Sequence, residues 1–92
     1  MPERYVSVRW PDGHTQEIYS PSTVIEDYFH IGQTLPVAEF VAQSRAALTI
    51  ASDRVRAAYG FPCSRAAASI AAVTENAARF EKGDVTVQGI AA

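Results

Sequence analysis

The chain has 92 residues, eight Lys+Arg against ten Asp+Glu, a formal charge of -2 and an apolar share of 48%. That size sets a single domain, 1–92, with one modest core and little room for a deep active site. The slightly acidic balance argues against a nucleic-acid binder, one cysteine excludes an intrachain disulfide framework or a multi-cysteine zinc site, and no apolar run reaches the roughly 18–20 residues of a membrane span.

The N-terminus lacks the basic-then-apolar pattern of a signal peptide, so a cytoplasmic protein is expected. From Arg4 to Trp10, Val6, Val8 and Trp10 alternate with Tyr5, Ser7 and Arg9, the period of a half-buried strand. Pro11-Asp12-Gly13 supplies turn residues. A second strand then runs from Thr15 to Tyr19, with Ile18 on one face and Glu17 and Tyr19 on the other, completing a β-hairpin. Ser20-Pro21-Ser22-Thr23 is a helix start, capped by Ser20 or through Thr23 and Glu26. The short helix it opens carries Val24, Ile25, Tyr28 and Phe29 and ends near His30, before Gly32.

Thr34-Leu35-Pro36 is expected to open the main helix, which runs to Tyr59. On a helical wheel Val37, Phe40, Val41, Ser44, Ala47, Leu48, Ala51, Val55, Ala58 and Tyr59 share an arc of ~120°. Gly60 supplies a left-handed stop, and Phe61 is placed to fold back over Val55. Pro62-Cys63-Ser64 begins a further helix with an Ala-rich stripe (Ala66, Ile70, Val73, Ala77, Phe80), ending near Phe80. Asp84–Ile90 reads as a third strand, with Val85 and Val87 on one side. The whole is α+β in two layers: a three-stranded sheet, hairpin plus C-terminal strand, covered on one face by the two longer helices.

Few residues carry obvious chemistry. Cys63 lies at a helix start two residues before Arg65, a position that lowers a thiol pKa; the plainer reading is a small apolar residue at a junction. His14 sits in the hairpin turn and His30 at a helix end, without metal-ligand spacing, and neither metal nor cofactor is expected. Glu26 and Asp27 point about 100° apart and read as solvated surface. Arg45 and Arg56 lie within ~20° on the wheel, three turns apart, with Arg54 and Arg65 able to flank them. They could clamp a carboxylate, a phosphate or an acidic partner, or form a solvated face balanced by Glu39 and Asp53. The outward strand face offers Tyr5, Ser7, Arg9, Glu17 and Tyr19. Tyr and Arg are enriched in protein interfaces, and sheet edges pair readily with other chains. The plainer alternative is a polar sheet face with cross-strand pairs such as Arg9 with Glu17.

Several strings occur in order: Arg9-Trp10-Pro11-Asp12-Gly13, Tyr19-Ser20-Pro21-Ser22, Val24-Ile25-Glu26-Asp27-Tyr28, Ala38-Glu39-Phe40-Val41, Ser44-Arg45-Ala46-Ala47-Leu48, Tyr59-Gly60-Phe61 and Cys63-Ser64-Arg65-Ala66. Over nearly its whole length the chain resembles a small bacterial family named for the nitrogen-starvation response in mycobacteria. The resemblance implies a genetic setting beside a nitrilase-type hydrolase, a radical SAM protein, an acetyltransferase-like protein and a flavin-dependent oxidoreductase, and hence nitrogen scavenging. It carries over no activity and no catalytic residue. The expectation is therefore an accessory protein that binds a protein partner, or itself as a homodimer, through its sheet face or edge. The alternative is a binder of a small anionic ligand or other small molecule, or a minor enzyme, built on Cys63 and nearby arginines.

Overall fold

The N-terminal alternation forms β1 (Arg4–Arg9) and β2 (Thr15–Ser20), antiparallel, with Val6 opposite Ile18 and Val8 opposite Gln16. The computed structural model describes residues 2–92. The turn closes on two backbone bonds of 2.9 Å, Gly13 N–H to the Trp10 carbonyl and Trp10 N–H to the His14 carbonyl.

The next segment departs from expectation. Its short helix is a 3-10 helix over Thr23–Asp27, ending before the expected His30. The cap is neither Ser20 nor Thr23 but Ser22, whose Oγ accepts the Val24 N–H. Ser20 Oγ instead donates to the Ser22 carbonyl at 2.7 Å. Glu26 pairs with Arg4 rather than closing a capping box. Val24 and Ile25 are buried.

The sheet has four strands, not three. Thr34–Pro36, expected to open the main helix, forms β3 and pairs antiparallel with β4 (Asp84–Ala91). Pro36 biases Leu35 toward extended backbone, and Leu35 drops into the core opposite Val85. The order is β2-β1-β4-β3, antiparallel throughout. A register shift between Ser7 and Val8 lets both Val87 and Ile90 meet the inward face of β1.

Two helices cover that inward face: α1 (Val37–Tyr59) and α2 (Ser64–Ala77). The start of α1 is tied to the sheet by Val37 N–H on the Gly83 carbonyl (3.1 Å). α2 ends before Phe80, because Arg79 and Phe80 bond to carbonyls three residues back, a tighter turn than the α-helix. The core joins Val6, Val8, Ile18, Leu35, Val85 and Val87 of the sheet to Phe40, Ala47, Leu48 and Val73 of the helices. Trp10, 1% exposed, meets Phe40 edge-on at 5.5 Å and stacks on Phe80 at 5.9 Å.

The wheel of α1 holds only as far as Ala51. Val37, Phe40, Ser44, Ala47, Leu48 and Ala51 are buried; Val41 and Val55 are half-buried, and Ala58 and Tyr59 are exposed. Phe61 does not fold back over Val55 but stands 65% exposed. At 1.5 Å per residue α1 is ~35 Å long, close to the 39 Å long dimension of the molecule. The helix outruns the core it packs against.

Candidate interaction surface

Both helices lie on one side of the sheet, so the other side carries the side chains that alternate outward. Tyr5 stands opposite Tyr19, Ser7 opposite Glu17, and Arg9 opposite Thr15. On β4 the same face continues through Thr86, Gly89 and Ala91. None of these nine positions is fully buried.

One end of this face is organised. The Tyr5 and Tyr19 rings meet edge-on at 5.5 Å, and the Arg65 guanidinium, arriving from the first turn of α2, lies 3.6 Å from the Tyr19 ring centre. The Tyr5 hydroxyl is the first cause raising the Arg65 pKa above its ordinary value. Burial is the first cause raising the Tyr19 hydroxyl above its usual range, and Glu3 adds to it, while Arg65 acts in the opposite sense. Tyr19 therefore remains a neutral phenol at neutral pH, able to donate as well as accept. Beside it a shallow groove of about 240 Å³ runs between β2 and α2, lined by Gln16 to Tyr19 and by Arg65, Ala68, Ser69 and Ala72.

The sheet edges are less available than its face. Along β2, the Tyr19 carbonyl already accepts the Ser69 hydroxyl at 2.8 Å. α2 lies along the same strand, with Asn76 Nδ2 donating to Gln16 Oε1 at 2.9 Å. At the opposite edge β3 is three residues long and ends in Pro36, which has no N–H to offer. Short length, proline and an overlying helix are standard protections against edge pairing.

Of the residues singled out in the sequence, the structure brings Tyr5, Tyr19 and Arg65 together. Arg9 lies on the same face toward the turn. It is opposite Thr15, so the expected Arg9–Glu17 cross-strand pair does not form. Arg45 and Arg56 are exposed on α1, and among the described residues neither makes an ion pair or a side-chain hydrogen bond. Arg54 turns to Ser22 Oγ at 3.1 Å. The arginines thus do not converge on one anion site. Cys63, half-buried, precedes α2 with its N–H on Ser52 Oγ (3.3 Å).

His14 belongs to the far end of α2. Trp10 Nε1, which can only donate, bonds Gln16 Oε1 at 2.9 Å. That oxygen also takes Asn76 Nδ2, which leaves Asn76 Oδ1 facing His14 Nε2 at 3.3 Å. Asp12 Oδ1 faces the other ring nitrogen. This network ties the hairpin turn to α2; with α2 spanning ~20 Å, it separates His14 from Cys63. Among the described residues no group of three or more His, Cys, Asp or Glu side chains is placed to hold a metal ion, and no helix is long and apolar enough to cross a membrane.

Sequence reading missed Glu3, Gln16, Ser69 and Asn76 as contributors. Ser69 was detectable as a hydroxyl lying within an alanine-rich helix. Glu3 had no such signal, because only the fold brings it to Tyr19.

A family model described as nitrogen starvation-induced protein NitG matches residues 5–90. The chain belongs to the NitG family. The match runs from Tyr5 in β1 to Ile90 in β4, so the outward face save Ala91, both helices and the hairpin turn lie within the matched residues. No curated protein and no solved structure matches the chain.

Proposed function

We propose that this NitG-family chain is a cytoplasmic accessory protein of the nitrogen-starvation response, acting by binding a protein partner of the same pathway through the outer face of its sheet. The observation that carries the reading is the bare face itself, with Tyr5, Tyr19 and Arg65 assembled at one end and Arg9 toward the other. A four-stranded sheet buried on one side and open on the other needs no further cover to fold. Aromatic residues and arginine on that open side are the residue types that dominate binding energy when desolvated. The small dimensions and shallow grooves favour surface recognition over chemistry in a cleft. With both edges protected, the face is the better docking surface.

The test is size exclusion with light scattering, alone and mixed with each of the nitrilase-type, radical SAM, acetyltransferase-like and flavin-dependent proteins. The wild type is expected to co-elute with one of them, and the Tyr5→Ser/Arg9→Glu variant to elute alone with an unchanged urea melt. A strict monomer that retains none of them overturns the reading; a dimer replaces the pathway partner with a second copy.

The small-anion alternative keeps only Arg65, which lies over the Tyr19 ring, and Cys63, two residues before it. Alkylation of Cys63 by iodoacetamide across pH tests it, and an unreactive thiol removes the nucleophile.

A further inference from the structure

The turn between the two helices is a second surface. Residues 54–65 carry three of the eight basic residues, Arg54, Arg56 and Arg65, and none of the ten acidic ones. Within this segment only Val55 and Cys63 are even half-buried. Tyr59 is 59% and Phe61 65% exposed, two of the four large apolar side chains that the fold leaves out. The turn is nonetheless well defined. Gly60 adopts φ 87°, and its N–H closes on the Arg56 carbonyl at 2.8 Å, so the two aromatic residues flank a fixed left-handed stop. Arg54 braces the base of the turn on Ser22. An acidic domain therefore projects a basic tip bearing two bare rings. Asp53 precedes the tip directly.

We infer that this tip docks an acidic protein surface that also offers apolar side chains. Exposed aromatic residues need an apolar counterpart, and Arg56, exposed at the tip with Arg54 and Arg65 at its base, selects carboxylates as neighbours, since the guanidinium fork matches a carboxylate in two hydrogen bonds. The charge pattern chooses among anions. Three positive charges are too few to hold a polyphosphate backbone, and the rest of the chain, with five basic against ten acidic residues, repels a phosphate-rich surface. A protein partner gains from both halves of the tip: the rings lose water, and the arginines steer the approach and fix its orientation. Arg65 is shared with the sheet face, where it lies over Tyr19; Arg56, Tyr59 and Phe61 belong to the tip alone, and variants at these three test it separately.

The experiment is an amide NMR titration of the full chain. The probe is a synthetic helical peptide with Glu along one side and Leu and Phe along the other. Controls are the same peptide with Lys for Glu, phosphatidylglycerol vesicles, and a single-stranded oligonucleotide. The acidic peptide is expected to shift the amides of residues 54–65 while leaving those of Tyr5, Ser7 and Glu17 in place. Its affinity should fall several-fold between about 50 and 300 mM salt, as screening shortens the reach of the arginines. Arg56→Glu and Phe61→Ser should each weaken binding, with urea melts like the wild type, and Tyr59→Ser gives a second apolar test. The inference is overturned by an absence of shifts in this segment, by an equal response to the Lys peptide, or by tighter binding to the vesicles or the oligonucleotide.

Discussion

The two ends of the helical hairpin obey opposite rules. Where α1 begins and α2 ends, nearly every group is engaged: Val37 N–H on Gly83, Trp10 between Phe40 and Phe80, and the Gln16–Asn76–His14–Asp12 chain of polar contacts. Where α1 ends and α2 begins, the helices run past the core and carry Ala57, Ala58, Tyr59 and Phe61 into solvent. Both ends draw on the same alanine-rich, 3.6-periodic pattern. The difference teaches that amphipathic periodicity specifies a face, not an occupant. The rest of the fold, α2 and the 3-10 helix foremost, covers that face as far as Ala51; beyond it, of the residues on the arc, Val55 is half-buried and Ala58 and Tyr59 are exposed.

The sharpest way to break this contrast is to delete one large side chain at each end. Leu48 is fully buried, so Leu48→Ala is expected to cost ~2–5 kcal/mol. That is a large share of the ~5–15 kcal/mol typical of a folded domain. Tyr59→Ala, at an exposed position, should stay within about 0.5 kcal/mol. Urea melts of the two variants measure both. A Leu48→Ala loss under about 1 kcal/mol, or a Tyr59→Ala loss of the same size as that of Leu48→Ala, would erase the distinction between the anchored and free halves of α1.

A backbone position at the anchored end gives the next largest effect. Gly83 joins the turn after α2 to β4, holds φ 110°, and would place a Cβ 2.8 Å from Pro11 Cβ and Cγ. Its carbonyl also receives the first N–H of α1. Gly83→Ala combines a strained left-handed conformation, about 1–3 kcal/mol, with a clash against a ring that has little freedom to move. Gly60, at the free end, has a similar φ of 87° but open space around it. The expected order of thermal midpoints is wild type, Gly60→Ala, then Gly83→Ala; the reverse order would mean that the clash relaxes by moving Pro11.

Much of this frame was legible in the sequence, for identifiable reasons. The hairpin announced itself through Val6, Val8 and Ile18 around Pro11-Asp12-Gly13, and the helices through long apolar stripes. β3 was not legible. Three residues, Thr34-Leu35-Pro36, show no alternation, and their pairing is set by Val85 and Thr86 some fifty positions away. The short helix was legible, but it is a 3-10 helix that stops at Asp27, and its cap is Ser22 rather than Ser20 or Thr23. For the interaction surface, the outward strand residues followed directly from period two. The meeting of Arg65 with Tyr19 depends on where α2 crosses β2, which no local pattern encodes. Arg45 and Arg56 do share a helix face, but a shared face is not a shared site when no second element approaches it.

Acid should loosen the anchored end before the free one. Asp12 has a pKa below its ordinary 3.8, first because its carboxylate accepts the His14 backbone N–H, then through the His14 ring, with smaller help from Arg79. A carboxylate whose folded pKa is depressed stabilises the fold above the unfolded value, and that contribution is lost as pH falls through the folded one. The wild type should therefore lose stability below about pH 4 more steeply than Asp12→Asn, which has no such charge to protonate. Because Asp12 is exposed, the difference should be modest. Urea midpoints at pH 7 and pH 3 for both proteins supply the comparison, and parallel slopes would show that the turn does not depend on the charge.

The smallest effect expected lies in the middle of the anchored half. Ser44 occupies the apolar arc of α1, fully buried between Phe40 and Leu48 in sequence, and its hydroxyl is without a hydrogen-bond partner. A buried hydroxyl with no partner has given up hydration with no return, at a cost of roughly 1–3 kcal/mol. Alanine removes that atom and raises helix propensity, against the loss of a few packing contacts around the vacated oxygen. Ser44→Ala should therefore leave stability unchanged or raise it by up to about 1 kcal/mol, the opposite sign to every other core truncation in the same helix. A clear loss in a urea melt would mean that the hydroxyl bonds within the core, most simply to a helix carbonyl one turn back. The anchored half would then be fully satisfied in its polar as well as its apolar groups, making the contrast with the bare tip sharper still.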